Sequence, residues 1–229
     1  MTHLDMQDLN RMTIKYISEN IRVGMSLSEV RRLCESYMLN HGADSFWYWG
    51  VGAFVFSGED TILSVSGKQY QTADKAIQVN DIVTIDLSPQ CENIWGDYAR
   101  TIIIENGKVI RDVKQIQNSE WRQGLWMEEY LHGKLLKIAT KDMTFEELYF
   151  LMNEVIVKKG FVNLDFLGNL GHSIVQKKSD RIYTERGNHT KLSEVEMFTF
   201  EPHISVPGSK YGYKREDIYY FNEGRLFKL

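Results

Sequence analysis

The sequence has little cysteine or proline and no long apolar run, and each scarcity argues against a class of protein. With 2 Cys and 3 Pro among 229 residues, neither a disulfide framework nor a Pro-rich linker is expected. No stretch of about 18 apolar residues is present, so the sequence predicts no membrane-spanning helix. Segment 1–10 also lacks the apolar core of a signal peptide, and we therefore expect a reduced, cytoplasmic protein.

Basic residues are not in excess either. Lys and Arg number 27 against 31 Asp and Glu, which gives a formal charge of −4. Nucleic-acid binding relies on basic residues clustered on one face, so we expect neither a nucleic-acid nor a membrane partner. The one short basic run, Lys177, Lys178 and Arg181, lies beside Asp180 and is interpreted as a solvated loop.

The remaining composition is that of a folded protein. Apolar residues make up 43% and charged residues 25% of the chain, which excludes a disordered chain. We expect a single domain over 1–229, present as a monomer or a homodimer.

Two predicted helices share both their ends and their apolar stripe. Each begins at a capping box, in which a hydroxyl and a carboxylate satisfy free backbone N–H groups, and each stops at a glycine. The residues are Ser26, Glu29 and Gly42 in the first helix, and Thr144, Glu147 and Gly160 in the second. Since any two amphipathic helices share a period, it is the agreement of caps, stripe and stop at one constant offset that indicates an internal repeat. Other helices are predicted over 5–21 and 112–139.

The predicted strands repeat as well. Segment 83–86 resembles segment 198–201, and each ends in an acid, Asp86 and Glu201. Strands are predicted over 82–87, 97–104, 197–204, 216–221 and 225–229. These patterns predict an α+β fold of two pseudo-twofold-related halves, approximately 1–110 and 111–229, whose strands form a curved antiparallel sheet covered by helices.

Four acids and one histidine are the candidate site. Asp86 and Glu201 end apolar strands, while Asp97 and Glu216 begin the strands that return. A buried carboxylate must be paired or bind a metal, and a twofold relation between the halves would make all four converge. His172 lies in a Gly-flanked segment and is the fifth candidate. Oxygen ligands with one imidazole suit two divalent ions of Mn, Co, Fe or Zn.

These residues lie in motifs that resemble a known family. The chain is similar, over nearly its whole length, to the methionine aminopeptidase, Xaa-Pro dipeptidase and creatinase family (M24), whose fold is called pita-bread. The resemblance rests on segments 81–87, 96–101, 171–174, 198–202 and 215–217. It implies that Asp86 chelates one metal, that Asp97 and Glu216 bridge both, and that His172 and Glu201 hold the other.

The resemblance also implies a reaction and reveals a departure from the family. It implies removal of an N-terminal residue from a peptide, with Glu201 as the proton shuttle and His189 matching a second catalytic histidine. Ser66 occupies the position of the family's substrate-facing histidine. Trp47 and Tyr48 are expected to line a substrate pocket, with a role in the core as the competing interpretation.

Two other functions remain open at this point. The first is a non-catalytic or weakly active binding protein on the same scaffold, which Ser66 favours and the five retained ligands oppose. The second is a metal-free hydrolase acting on a small guanidino compound, which would not need the ligands.

Overall fold

Side-chain caps define where the four helices of the computed structural model begin; the structure describes residues 1–229. The helices are α1 (His3–Asn20), α2 (Leu27–Asn40), α3 (Ser119–Ile138) and α4 (Phe145–Lys158). Both predicted capping boxes are formed, with Glu29 N donating to Ser26 Oγ at 3.2 Å and Glu147 N donating to Thr144 Oγ1 at 3.1 Å. The predicted starts of α2 and α4 are thus confirmed.

The helix predicted over 112–139 is too long at its beginning. Segment Val113–Gln115 forms a short 3₁₀ turn, and α3 begins only at Ser119. The buried Glu105 carboxylate accepts the backbone N–H groups of Gln117 and Asn118, each at 2.8 Å, and so holds this stretch outside the helix. Asn118 then caps α3 through its side chain.

Fourteen strands form four antiparallel sheets. They are β1 (Ser45–Phe46), β2 (Ala53–Ser57), β3 (Asp81–Leu87), β4 (Pro89–Cys91), β5 (Ile94–Trp95), β6 (Tyr98–Glu105), β7 (Lys108–Ile110), β8 (Val162–Asn163), β9 (Ser173–Ile174), β10 (Met197–Phe200), β11 (His203–Ser205), β12 (Gly212–Lys214), β13 (Asp217–Asn222) and β14 (Arg225–Lys228). The two larger sheets have the orders β2-β3-β6-β7 and β14-β13-β10-β9, and the smaller ones β1-β4-β5 and β12-β11-β8.

The strand predicted over 197–204 is interrupted. β10 ends at Phe200, and β11 begins at His203 in a different sheet. Pro202 has no N–H to donate, so the ladder cannot continue through it. Glu201 N instead donates to Leu170 O at 3.0 Å, which turns the chain out of the sheet at the candidate ligand.

The two faces of β3 pack against two separate cores, and the second face reaches the middle of the molecule at its end. Val83 and Ile85 are buried among residues of α1 and α2, whereas Ile82 belongs to the core formed with α3 and α4. Since side chains alternate along a strand, Thr84 and Asp86 face away from α1 and α2. Asp86 is therefore presented at the middle of the molecule.

Hydrogen bonds across the middle join β6 to the segment that runs from β12 to the start of β13. Glu216 N donates to Ala99 O at 3.0 Å, and Lys214 N donates to Thr101 Oγ1 at 3.0 Å. The segment that leads into β13 therefore runs beside β6. None of the helices is both long and apolar enough to cross a membrane.

Candidate metal centre

The register of β3 and β6 brings the first two acids together. Asp86 is directly opposite Ala99, and Asp97 lies two residues before Ala99 on the same side of the ladder. The two carboxylates are therefore diagonal neighbours on one face of the pair. Asp97 is buried, and Asp86 keeps 19% of its side chain exposed.

The second pair of acids follows from the register of β10 and β13. Phe200 is opposite Asp217, so Glu201 and Glu216 are the next residues along the two chains beyond this ladder. Glu216 is only 1% exposed. The two halves of the chain thus present their acids at equivalent places, each at the end of a strand pair.

His172 is brought close to these acids by a glycine. Gly171 has a φ of +135°, and a Cβ at this position would lie 2.2 Å from Thr199 O. Only glycine permits this close approach of the two segments. It allows Thr199 N to donate to His172 O at 2.7 Å, which holds the histidine beside the end of β10.

The hydrogen bonds of His172 select one ring nitrogen as a ligand. Nδ1 lies 3.1 Å from the carbonyl of Ser173, which can only accept, so Nδ1 carries the proton. Nε2 then has its lone pair free, 3.4 Å from Asp97 Oδ2 and 3.9 Å from Glu201 Oε1. A carbonyl on the second nitrogen is the usual arrangement for a histidine that binds metal.

Three of the candidate ligands converge on a common point. Asp97, His172 and Glu216 are all buried, and each offers a ligand atom within 4.8 Å of the other two. Oε1 of Glu216 has no hydrogen-bond partner although it is inaccessible to solvent. A buried carboxylate oxygen without a donor is destabilising, and a divalent cation would satisfy it. The donor set therefore fits a metal.

The electrostatics of the metal-free cluster lead to the same conclusion. Burial raises the pKa of Asp97 and of Glu216 well above their ordinary values, with neighbouring carboxylates adding to the effect. Burial also raises the pKa of Glu201 to about 7 and lowers the pKa of His172 to about 4, so the imidazole is neutral at neutral pH.

Sequence reasoning missed Lys214, the one cation in direct contact with the acids. Its Nζ lies 2.6 Å from Asp86 Oδ2 and 3.2 Å from Glu201 Oε2. Burial opposes the ammonium charge, but the surrounding carboxylates outweigh it and raise the pKa of Lys214. The available signal was its position two residues before Glu216, in a short strand whose middle residue, Tyr213, is fully buried.

Arg100 holds Glu216 by its backbone. One guanidinium nitrogen donates to Glu216 O at 2.7 Å, and the other donates to Asp217 Oδ1 at 2.7 Å. Arg100 thus pairs with the carboxylate that follows the candidate ligand and not with that of Glu216 itself.

A cleft of about 620 Å³ opens over the acids. Trp47, Tyr48 and Ser66, the three residues expected to face substrate, all line it. Trp47 is nevertheless 94% buried, because its ring packs on Trp95 at 4.2 Å and its edge meets His172 at 5.7 Å. Trp47 therefore belongs both to the core and to the wall of the cleft.

His189 lies outside the cleft, so its expected catalytic role is corrected. Its side chain is 77% exposed, and Nδ1 lies 3.2 Å from Glu146 Oε2 at the surface beside α4. Tyr183, which lines the cleft, is the residue that forms an isolated antiparallel β-bridge with His172. The segment that follows His172 therefore carries His189 to the surface and not into the cleft.

The expected solvated loop holds for Lys177, which is exposed, but not for Lys178 and Arg181, which contact the aromatic wall of the cleft. Lys178 Nζ donates to Trp47 O at 3.0 Å, and the Arg181 guanidinium lies 4.7 Å from the ring centre of Trp47 and 5.7 Å from that of Tyr48. Arg181 lines the cleft and forms no ion pair with an acid of the chain, although Glu185 also lines the cleft. It is a cation on an aromatic wall, beside the candidate ligands.

Comparisons with known proteins agree with this arrangement. A family model described as metallopeptidase family M24 matches residues 4–223. The methionine aminopeptidase of Helicobacter pylori (strain ATCC 700392 / 26695) is 24% identical over 209 residues, which is 86% of this chain and 76% of that protein. The Xaa-Pro dipeptidase of Lactobacillus helveticus is 24% identical over 132 residues, 58% of this chain and 33% of that protein.

Solved structures show the same fold. The X-Pro aminopeptidase from Thermotoga maritima MSB8 superimposes with a TM-score of 0.78 at 23% identity, covering 96% of this chain and 57% of that one. The prolidase from Pyrococcus furiosus gives 0.79 at 22% identity, covering 98% of this chain and 61% of that one. This chain therefore spans a little over half the length of these structural relatives, and the expected pita-bread fold is confirmed.

Proposed function

The chain belongs to metallopeptidase family M24, and from this membership and the geometry of the cleft we propose that it is a metal-dependent hydrolase that removes the N-terminal residue from short peptides. The observation that carries the proposal is the convergence of Asp97, His172 and Glu216, with an orphaned carboxylate oxygen at the centre. Asp86 and Glu201 complete a set of five ligands for two divalent ions of Mn, Co, Fe or Zn. When bound, such ions would supply positive charge that activates water and polarises the scissile carbonyl.

The residues of the chain would divide the remaining work. His172 offers a neutral Nε2 because Nδ1 is committed to the carbonyl of Ser173. Glu201 is the proposed proton shuttle, because its carboxylate lines the cleft and lies 3.9 Å from Nε2 of His172, beside the place where the attacking water would be held. Its carboxylate would accept a proton from the attacking water and deliver it to the departing amine.

The position of Arg181 suggests a limit on the length of the peptide substrate. Its guanidinium has no carboxylate partner within the chain and lies on Trp47, whose ring also touches His172. An extended residue spans about 3.5 Å, so a peptide of two or three residues would reach from the metal ligands to Arg181. A free C-terminal carboxylate is the natural partner of this cation. We therefore propose dipeptides and tripeptides as substrates, rather than long chains.

Ser66 stands where the family has a histidine that faces the substrate, so the contact to the leaving group would come from a hydroxyl. A hydroxyl donates a hydrogen bond but carries no positive charge, so we expect slower turnover than a histidine would give. We do not favour a non-catalytic binding protein. A scaffold without chemistry gains nothing from buried carboxylates that lower its stability.

A panel of peptides tests the proposal. Met-Ala, Ala-Ala and Xaa-Pro dipeptides, with their C-terminal amides, would be incubated with protein loaded with Mn²⁺ or Co²⁺, and released amino acids measured. We expect hydrolysis that depends on metal and favours the free carboxylates. Protein that binds metal stoichiometrically but releases no amino acid from any of these peptides would overturn the proposal.

A further inference from the structure

The outer side of helix α3 remains open to solvent although it carries large apolar residues. Trp126 and Leu136 are 50% and 44% exposed, and Glu129 and Lys137 are exposed as well. Their spacing places them along one side of the helix. Two large apolar residues on one exposed helix side indicate a contact surface, since such residues usually occur singly. The α3 face consists of Trp126, Glu129, Tyr130, Gly133, Leu136 and Lys137.

Gly133 lies at the centre of the α3 face, and no packing within the chain requires a glycine there. A Cβ at this position would meet no atom within 4 Å. Gly124, on the inner side of the same helix, differs, because its Cβ would overlap the ring of Tyr213. Glycine weakens a helix relative to alanine, so Gly133 is unfavourable within a single protomer. It leaves an open depression of about 460 Å³ in the α3 face.

The α3 face has complementary chemistry on the two sides of Gly133. Glu129 lies four residues before it and Lys137 four residues after it, while Tyr130 and Leu136 lie three residues before and after. When two copies of a helix cross antiparallel at a twofold axis, a residue before the crossing meets the residue equally far after it on the partner. A twofold axis at Gly133 would therefore pair the acid with the base and the aromatic ring with the leucine, each of them twice.

The charges of the α3 face are poorly satisfied within the chain. Lys137 forms no ion pair, and Glu129, whose side chain is 63% exposed, has only Arg215 at 4.0 Å. Lys134 also lines the depression, and Lys159 lies 4.6 Å from the centre of a neighbouring aromatic ring. These bases would attract an anionic partner, but Glu129 would repel it. A second copy of the chain uses the acid and the base together.

We propose that the α3 face is the interface between two copies of this chain, with the two α3 helices antiparallel about a twofold axis at Gly133. Lys137 of each protomer pairs with the partner's Glu129, and Leu136 packs on the partner's Tyr130. The absence of a side chain at Gly133 allows the two helices to approach closely where they cross. No residue of the α3 face lines the cleft, so the inference is independent of the proposed function.

The size of the α3 face sets the expected strength of the dimer. α3 has 20 residues and is therefore about 30 Å long. A contact of this length and about 20 Å in width would bury roughly 600 Å² of each protomer, which is at the low end of specific interfaces. We therefore expect a dissociation constant on the order of micromolar.

Charge reversal with compensation tests the pairing across the axis. Wild-type protein, Glu129→Lys, Lys137→Glu and the double variant that carries both changes would be compared by sedimentation velocity over a range of concentrations. Each single reversal should raise the dissociation constant at least about tenfold, and the double variant should restore it to within about threefold of wild type. Lys15→Glu is the matched control, because Lys15 is an exposed lysine of α1 without an ion pair, and it should change nothing.

Cross-linking tests the position of the axis separately. Gly133→Cys is expected to fold, because a side chain there points into open space, and it places two thiols opposite each other at the axis. Mild oxidation should give a disulfide-linked dimer of Gly133→Cys and none of Lys15→Cys. Wild-type protein supplies the background, since Cys34 is buried and Cys91 is partly buried.

Four results would overturn the proposal. They are a wild-type protein that is monomeric at every concentration, a dimer that the single reversals leave unchanged, a double variant that does not recover, and equal cross-linking of Gly133→Cys and Lys15→Cys. Polyglutamate is the probe for the other occupant. Binding of polyglutamate that Glu129→Lys tightens, in a protein that stays monomeric, would assign the α3 face to an anionic partner instead.

Discussion

Replacing Glu201 by glutamine should stabilise the metal-free protein while weakening its hold on metal. The substitution keeps the shape of the side chain and removes its charge. Burial raises the pKa of Glu201 to about 7 from an ordinary 4.5, so the folded state binds the proton more strongly than the unfolded chain does. The resulting contribution to stability is complete below about pH 4.5 and is lost as the pH rises through about 7.

The magnitude follows from the two pKa values. Each pH unit between them corresponds to about 1.4 kcal/mol, so ionised Glu201 lowers the free energy of unfolding by roughly 3 kcal/mol at about pH 8. Metal-free Glu201→Gln should be more stable than wild type by up to that amount. At about pH 5 the gain should fall below roughly 1 kcal/mol, because Glu201 of the folded wild-type protein is then almost fully protonated and carries little buried charge.

Urea unfolding in the presence of a chelator, at both pH values, measures the gain. Glu128→Gln is the matched control: burial raises the pKa of Glu128 to about 7 as well, and Thr101 Oγ1 donates to it at 2.6 Å. Glu128 does not line the cleft. Both variants should be stabilised without metal, but Mn²⁺ should then stabilise Glu128→Gln as much as wild type and Glu201→Gln much less.

Two results would refute this reasoning. Glu201→Gln removes the ion pair with Lys214, so a net loss of stability of the metal-free variant at about pH 8 would show that this contact outweighs the cost of burying the charge. An undiminished response of Glu201→Gln to Mn²⁺ would show that Glu201 is not a ligand.

Three further predictions concern the same cleft. His172→Ala should lower Mn²⁺ affinity by at least about 100-fold in competition with a chelator, whereas His189→Ala, at the surface, should not change it. Arg181→Gln should raise KM about tenfold for dipeptides with a free carboxylate and leave KM for their amides unchanged, as initial rates would show. Gly171→Ala should lower the free energy of unfolding by more than about 2 kcal/mol in urea, because its Cβ would meet Thr199 O.

Local chemistry made part of the fold predictable. Capping boxes act between residues three apart in sequence, so the starts of α2 and α4 could be read from Ser26 and Thr144 alone. Side chains alternate between the two faces of a strand, so the sequence of β3 likewise places Asp86 on the face opposite the core of α1 and α2. Both rules need no knowledge of distant parts of the chain.

The mistakes arose where a distant partner decides the local structure. The residues before α3 have a helical pattern, but the carboxylate of Glu105 takes their N–H groups. The break after Phe200 depends on the carbonyl of Leu170 as well as on Pro202. Arg181 reads as a surface residue until the aromatic wall that it covers is known.

The site was predictable in its acids and not in its cations. Carboxylates inside apolar strands are conspicuous because they break a pattern. Lys214 breaks none, since a lysine at the end of a short strand is ordinary in sequence, and only the register of β12 beside β6 directs it to Asp86. The expected catalytic role of His189 was wrong for a related reason. His189 follows His172 closely in the sequence, but the intervening segment carries it to the surface.

Two adjacent acids show why the cluster calls for metal rather than for a structural explanation. Asp217 and Glu216 are each 1% exposed. Asp217 is neutralised by the chain itself, with Arg100 at 2.7 Å on one oxygen and Arg215 at 3.3 Å on the other. Glu216 faces other acids and keeps one oxygen without a partner. The same strand end thus satisfies one buried carboxylate fully and leaves its neighbour to a cation that the chain does not provide, which is the arrangement that a ligand requires and a structural acid does not.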